Sequence, residues 1–237
     1  MGYRVFVTTS DKYLLALRPF AWLFNKYWSP EVEVIVGGFT PPSFSLPSNF
    51  HFMVLGEQEK YPVDRWSDAF IRMVEYLGDE IFAFMLEDYW ITEPVDLRAV
   101  QMLYDYMRQF RYVIRMDLTT DRMFAGGAQP YGKVEDIELV KSSPGSPYHM
   151  SLMTAFWRTE HLMKILVPHE SPWDIEIKGT TRLSAFGDTM LVLGTKVAPV
   201  KHCLAFRADQ PGKLLLDGLK AEDIDEMRNL GLLEGLE

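Results

Sequence analysis

The chain has 237 residues, 48% hydrophobic and 24% charged, which is enough for one large globular domain and too apolar for a disordered chain. Its 33 acids against 24 Lys and Arg give a net charge of −9, which argues against a protein whose main task is gripping nucleic acid through phosphates. One cysteine, Cys203, excludes an intrachain disulfide framework. The remaining unusual quantity is the 14% aromatic content.

Tyr3–Thr9 is β-branched and aromatic and runs into a polar cluster, so it reads as a buried strand entering a loop. Apolar residues from Leu14 to Tyr27 recur at helical spacing, with Pro19 as a kink or restart. Val32–Val36 and Phe50–Leu55 read as strands, separated by the Pro/Ser-rich stretch Pro41–Pro47. Trp66–Leu77 follows as a helix, then Ile81–Leu86 as a strand covered on both faces. Val95–Phe110 is an amphipathic helix and Tyr112–Asp117 a fifth strand. In the second half, Ile137–Val140, His149–Phe156, Met190–Gly194 and Val200–Phe206 read as strands. Glu160–Leu166 reads as a helix capped by Thr159, and Ser171-Pro172-Trp173-Asp174 as a helix start. Arg207–Lys213 is a polar turn and Leu219–Leu230 a final helix.

Strand alternating with helix predicts an α/β fold: a mostly parallel central sheet flanked by helices, with an elaborated C-terminal half. No signal peptide and no uninterrupted apolar span stand out, so a cytoplasmic protein without a membrane span is the expectation. In parallel sheets ligands collect at the carboxyl ends of strands, where Thr8–Asp11 and Glu87–Tyr89 fall.

Four clusters carry candidate chemistry. Glu87 and Asp88 directly follow a buried strand; they face one site only if the chain turns there, and then suit a divalent cation shared with phosphate oxygens. Otherwise they start a loop or cap a helix. Trp173 beside Asp174 and Glu176 suits sugar stacking and a general base, or else a core aromatic with a capping acid. His202 is a metal ligand or a structural residue. Arg115, Asp117, Asp121 and Arg122 form a phosphate clamp or a set of internal ion pairs. P-loop, dinucleotide and nucleophile-elbow motifs are absent.

The first strand ending in Thr8-Thr9-Ser10-Asp11, the strand ending in Glu87-Asp88, the Trp173…Glu176 helix start and the late His202 resemble the nucleotide-diphospho-sugar transferase (GT-A) fold. More narrowly, Thr8–Tyr13, Asn25–Trp28 and Leu86–Trp90 resemble a group of small bacterial, phage and environmental glycosyltransferases. The resemblance implies a single GT-A-like domain: residues 1–120 as the nucleotide-binding half, 121–206 as the acceptor side, and 207–237 as a C-terminal loop and helix. It implies a Rossmann-like architecture and a nucleotide-diphosphate sugar as donor. A glycan or other hydroxyl-bearing molecule is the acceptor, and Mn²⁺ or Mg²⁺ the cofactor.

By the same resemblance Asp88 and His202 hold the metal, and Thr8, Thr9, Ser10, Asp11 and Glu87 the nucleotide. Glu176, with Asp174 second, serves as the base of an inverting transfer. Trp66, Tyr89, Trp90, Trp173, Arg115 and Arg122 contact substrate. Phe6, Trp22, Phe24, Phe82 and Phe84 are expected in the core; Tyr13, Trp66, Tyr89, Trp90 and Trp173 are expected to stack on base or sugar. A sugar-phosphate nucleotidyltransferase ranks lower because a Gly-rich basic loop after the first strand is missing, and a non-catalytic glycan-binding domain is the third reading.

Overall fold

The computed structural model describes every residue except Met1, Asp121, Phe124, Ala125, Ala208 and Glu237. Its centre is a nine-stranded sheet in the order β3-β2-β1-β4-β9-β6-β10-β8-β7. These strands are β1 Val5–Thr8, β2 Val34–Gly38, β3 Phe50–Val54, β4 Ile81–Leu86, β6 Val113–Asp117, β7 Ala128–Val134, β8 Ile137–Ser142, β9 Ala155–Arg158 and β10 Leu191–Thr195. β3, β2, β1 and β4 are parallel, as expected. β9 then enters antiparallel between β4 and β6, β10 runs parallel to β6, and β8 and β7 close the sheet as antiparallel neighbours. The sheet is therefore mixed, with only β9 and β8 opposing the common direction.

Side chains alternate between two cores, one on each face of the sheet. On β1 and β4, Val5, Val7, Ile81, Ala83 and Met85 face one core, and Phe6, Phe82 and Phe84 the other. Helices α1 (Leu17–Tyr27), α3 (Leu97–Gln109) and α6 (Ala221–Asn229) cover the first; α2 (Trp66–Leu77), α4 (Thr159–Ile165) and α5 (Pro172–Ser184) cover the second. The second contains a ring cluster: Phe70 lies 5.0 Å from Phe84 and 6.2 Å from Phe6. Gly37 belongs to β2 because a Cβ there would lie 2.7 Å from Met73 Sδ and 2.9 Å from Phe6. Close packing, rather than a turn, is what requires glycine.

Several expectations are corrected. Pro19 marks a restart rather than a kink: a 3₁₀ turn over Asp11–Ala16 leads into α1, and Pro19 falls in its first turn, where no intrahelical N–H is needed. Thr159 is the first residue of α4, not its cap, and its hydroxyl donates to the Asp79 carbonyl. The strand expected over His149–Phe156 forms only from Ala155, because the preceding segment is bound to α5 instead. Val200–Phe206 shortens to β11, His202–Leu204, which pairs with β5, Tyr89–Ile91, in a separate two-stranded sheet. β5 and the exposed, polar β7 gave no strand signal in sequence. Ser171 is a true cap, in a reciprocal capping box with Asp174. Among the described residues, no helix is long and apolar enough to cross a membrane.

Candidate functional site

The carboxyl ends of β1, β2 and β4 lie side by side, since Thr8 pairs with both Gly37 and Leu86. One residue past β1, the buried Thr9 donates its backbone N–H to the Gly37 carbonyl at 2.9 Å and its hydroxyl to Glu87 Oε1 at 3.4 Å. Asp11 is exposed and ties the neighbouring loops together. Its carboxylate accepts from the Thr40 N–H at 2.9 Å and hydroxyl at 2.8 Å, and its own N–H donates to Gln58 Oε1 at 2.7 Å. Ser10, half-buried, precedes the 3₁₀ turn.

The chain turns at Glu87 and Asp88 before resuming as β5, which meets the condition that both acids need to share one site. The Asp88 carbonyl accepts from Ala205 N–H at 2.8 Å and the Glu87 carbonyl from Trp90 Nε1 at 3.2 Å, so the turn is fixed from both sides. Burial pushes the Glu87 carboxyl well above the usual range, and the Asp88 charge adds to the shift. Burial likewise raises Asp88. Asp88 Oδ1 is buried and has no hydrogen-bond partner among the described residues. Two adjacent carboxylates with raised pKa values, one with an orphaned oxygen, favour arrival of positive charge. Among the described residues no three His, Cys, Asp or Glu side chains converge into a metal cage. The His202 ring instead stacks on Tyr89, centroids 4.5 Å apart and planes at 18°.

Glu176 reaches the same end of the sheet by a different route. β9 pairs Ala155 with Phe84 and Asp117, so the chain just before it emerges where β4 and β6 end. There Leu152 N–H donates to Glu176 Oε1 at 2.8 Å. Asp174 accepts from the Ser171 hydroxyl at 2.7 Å and pairs with Lys178 at 2.8 Å; the Lys178 bond, then the Ser171 bonds, hold its carboxyl down to about 2. A carboxylate held that low is a weak base, and its cap duty explains its position. The start of α2 joins this end through Ser67 N–H to the Glu170 carbonyl at 2.9 Å and Glu170 N–H to Ser67 Oγ at 2.9 Å.

The aromatic candidates divide differently from expectation. Trp90 is fully buried with its N–H satisfied, and Tyr89 is buried against His202; neither offers a face to a ligand here. Trp66 is half-buried on Phe70 at 4.7 Å, and Tyr13 packs on Phe206 at 4.9 Å. Trp173 is 57% exposed and remains open to a ligand. Phe6, Phe24, Phe82 and Phe84 are core, while Trp22 is half-buried beside a cavity of about 830 Å³ between α1, the Phe44–Pro47 loop and the C-terminal segment. None of the proposed site residues lines that cavity.

Arg115 and Arg122 take the internal ion-pair form. Both are buried, Arg115 pairs with Asp117 at 2.6 Å, and Arg122 Nε pairs with the other Asp117 oxygen. Asp121 lies outside the described residues. Most of the segment Tyr148–Met153 reads as strand in the sequence, yet it is irregular backbone, with Tyr148 at φ 50°, and presents the Leu152 N–H to Glu176.

No protein-family model matches the sequence, and no curated protein does. Solved structures do match. A UTP-bound UGPase from Acinetobacter baumannii aligns with TM-score 0.50 at 10% identity, over 99% of this chain and 95% of its own. An apo UDP-glucose pyrophosphorylase aligns with TM-score 0.52 at 8% identity, over 96% and 99%. S. aureus TarS 1-349 aligns with TM-score 0.53 at 14% identity, over 85% of this chain and 59% of its own. The fold, a mixed central sheet flanked by helices, is thus GT-A- and nucleotidyltransferase-like.

Proposed function

We propose that this chain is a nucleotide-sugar transferase whose nucleotide diphosphate lies over the Glu87–Asp88 turn. The observation that carries the reading is the orphaned, buried Asp88 oxygen beside Glu87 at the end of β4. These residues fit Mn²⁺ or Mg²⁺ held mainly by substrate: such hard cations accept one or two protein carboxylates and take phosphate oxygens and water for the rest. A bound cation would neutralise charge developing on the departing phosphate. Thr9, hydrogen-bonded to Glu87, fixes the acid's orientation. Glu176 is the base for an acceptor hydroxyl, one carboxylate oxygen being held by Leu152 N–H. Trp173 is the exposed aromatic available to a sugar face.

Two reactions fit such a site. In glycosyl transfer the acceptor oxygen attacks the anomeric carbon and a nucleoside diphosphate leaves. The β1 loop favours it, because Ser10 and Asp11 turn straight into a 3₁₀ helix and Asp11 is spent on Thr40. In nucleotidyl transfer a sugar phosphate attacks a nucleoside triphosphate and pyrophosphate leaves. The end-to-end matches to two pyrophosphorylases favour this second reading over the first, since TarS is matched over 59% of its length.

Calorimetric titration with UDP, GDP and dTDP, each with and without Mn²⁺, tests the common core. We expect cation-dependent binding that Asp88→Ala removes, and no binding by any nucleotide would refute it. Product analysis then separates the reactions. Nucleoside diphosphate released from a sugar donor means glycosyl transfer, pyrophosphate released from a triphosphate with a hexose 1-phosphate means nucleotidyl transfer, and glycan binding without turnover means a non-catalytic domain.

A further inference from the structure

The Asp117 cluster and Glu176 lie on different elements, yet one short segment joins them. Asp117, at the end of β6, holds both buried guanidinium groups. Both groups also donate to a single stretch of backbone, and Arg122 Nη1 reaches Ser142 Oγ at 3.3 Å as well. Arg115 Nη1 donates to the His149 carbonyl at 3.2 Å, and Arg122 donates to the His149 carbonyl at 3.4 Å and the Tyr148 carbonyl at 2.6 Å. The His149 ring is held as well, its Nδ1 2.9 Å from Ser142 Oγ on β8. From the next residue onward the same stretch turns to α5. Met150 N–H donates to Thr180 Oγ1 at 3.1 Å and Leu152 N–H to Glu176 Oε1 at 2.8 Å. Gly179 permits this approach, because a Cβ there would lie 3.0 Å from Met150 Cγ.

We infer that Arg115, Asp117 and Arg122 are positioning residues: through the Tyr148–Leu152 strap they set where the Glu176 carboxylate stands. The inference rests on the glycosyl-transfer reading, with Glu176 as the base. The charge-assisted bonds from these buried guanidinium groups to the Tyr148 and His149 carbonyls fix the strap's path. Leu152 N–H then has one place to stand, and Glu176 follows it. The buried arginines thus act on the acceptor's deprotonation without touching a ligand. A misplaced base slows the chemical step while leaving donor binding alone.

The test compares the wild-type protein, Arg122→Lys, Glu176→Gln and the double variant, with Thr180→Val as a milder cut on the helix side of the strap. Amide exchange at Leu152 is followed by NMR. Turnover and KM are measured for release of nucleoside diphosphate from UDP-, GDP- and dTDP-hexoses. We expect Arg122→Lys to speed Leu152 exchange at least fivefold and to lower kcat tenfold or more with KM within twofold. It should have no further effect once Glu176 is Gln, because its influence passes through that residue. Thr180→Val should show the same pattern in weaker form and decides the matter if Arg122→Lys does not fold. Unchanged Leu152 exchange in these variants, or losses in kcat that multiply with Glu176→Gln, would overturn the inference. Full turnover by Glu176→Gln would instead remove Glu176 as base, with the exchange measurement still reporting on the strap alone.

Discussion

β1, β2 and β4 bury no charged side chain, whereas β6 and β9, in the same sheet, bury Arg115, Asp117 and Arg158. In the first region the buried positions are apolar or glycine apart from Thr8 at the end of β1, and the strands hold register by packing against α1 and α2. In the second, Asp117 pairs two arginines, and Arg158 spans from Glu80 at 2.7 Å to the Met107 carbonyl at 2.5 Å. Apolar burial is non-directional and tolerates small shifts; buried ion pairs and the carbonyls they hold do not. The apolar region makes a platform, and the ionic region pins irregular chain at a defined place on it. Both meet at the candidate site: Glu87 and Asp88 hang from the apolar platform, and Glu176 is tied to chain pinned by the ionic cluster.

Removing the shared anion should break the contrast hardest. Asp117→Ala leaves two buried guanidiniums without their carboxylate and should cost about 3–5 kcal/mol, read from urea unfolding. Added salt should not rescue it, because the pair is shielded from solvent; rescue would mean the cluster is wet. Met85→Ala, in the apolar platform, should cost about 3 kcal/mol through lost burial and a cavity, equally at pH 5 and pH 8. A pH-dependent loss there would erase the distinction drawn above.

The ionic region should also titrate. Burial, then the charges of Arg122 and Arg115, hold His149 down at about 4 against an ordinary 6.5. The unfolded chain therefore takes up this proton first as pH falls. Stability from this group is full above pH 6.5 and declines toward pH 4, by about 2–3 kcal/mol. Wild type should lose that much more than His149→Gln over the interval; parallel pH profiles for the two would refute it. The smallest effect belongs to the capping box: Ser171→Ala should cost about 1 kcal/mol and leave the ionic cluster untouched. A larger loss would show that the start of α5 carries more of the site than its cap.

Legibility in the sequence followed the same boundary. Ile81–Leu86 is a continuous apolar run, and such runs become strands covered on both faces wherever they pair. The acids that end it, and the Ser171-Pro172 helix start, were therefore readable as local chemistry. Trp90 was not, because its loop-like position hid a three-residue strand that pairs with His202–Leu204, more than a hundred residues later. Arg115 and Arg122 left two readings open, since an arginine that clamps phosphate and one that anchors backbone have the same spelling. Nothing local in His149–Thr154 announces that its N–H groups are taken by Thr180 and Glu176.

What the sequence determined by itself is the α/β alternation, the strand ends where the acids fall, and the helix start before Glu176. These depend on periodicity and on caps that act within a few residues. The antiparallel insertion of β9, the small β5–β11 sheet and the burial of the arginine cluster were decided by tertiary structure alone. The reason is physical: each depends on contacts between distant segments, whose loop-closure cost is offset only when the whole sheet assembles, and no short stretch of chain encodes that sum.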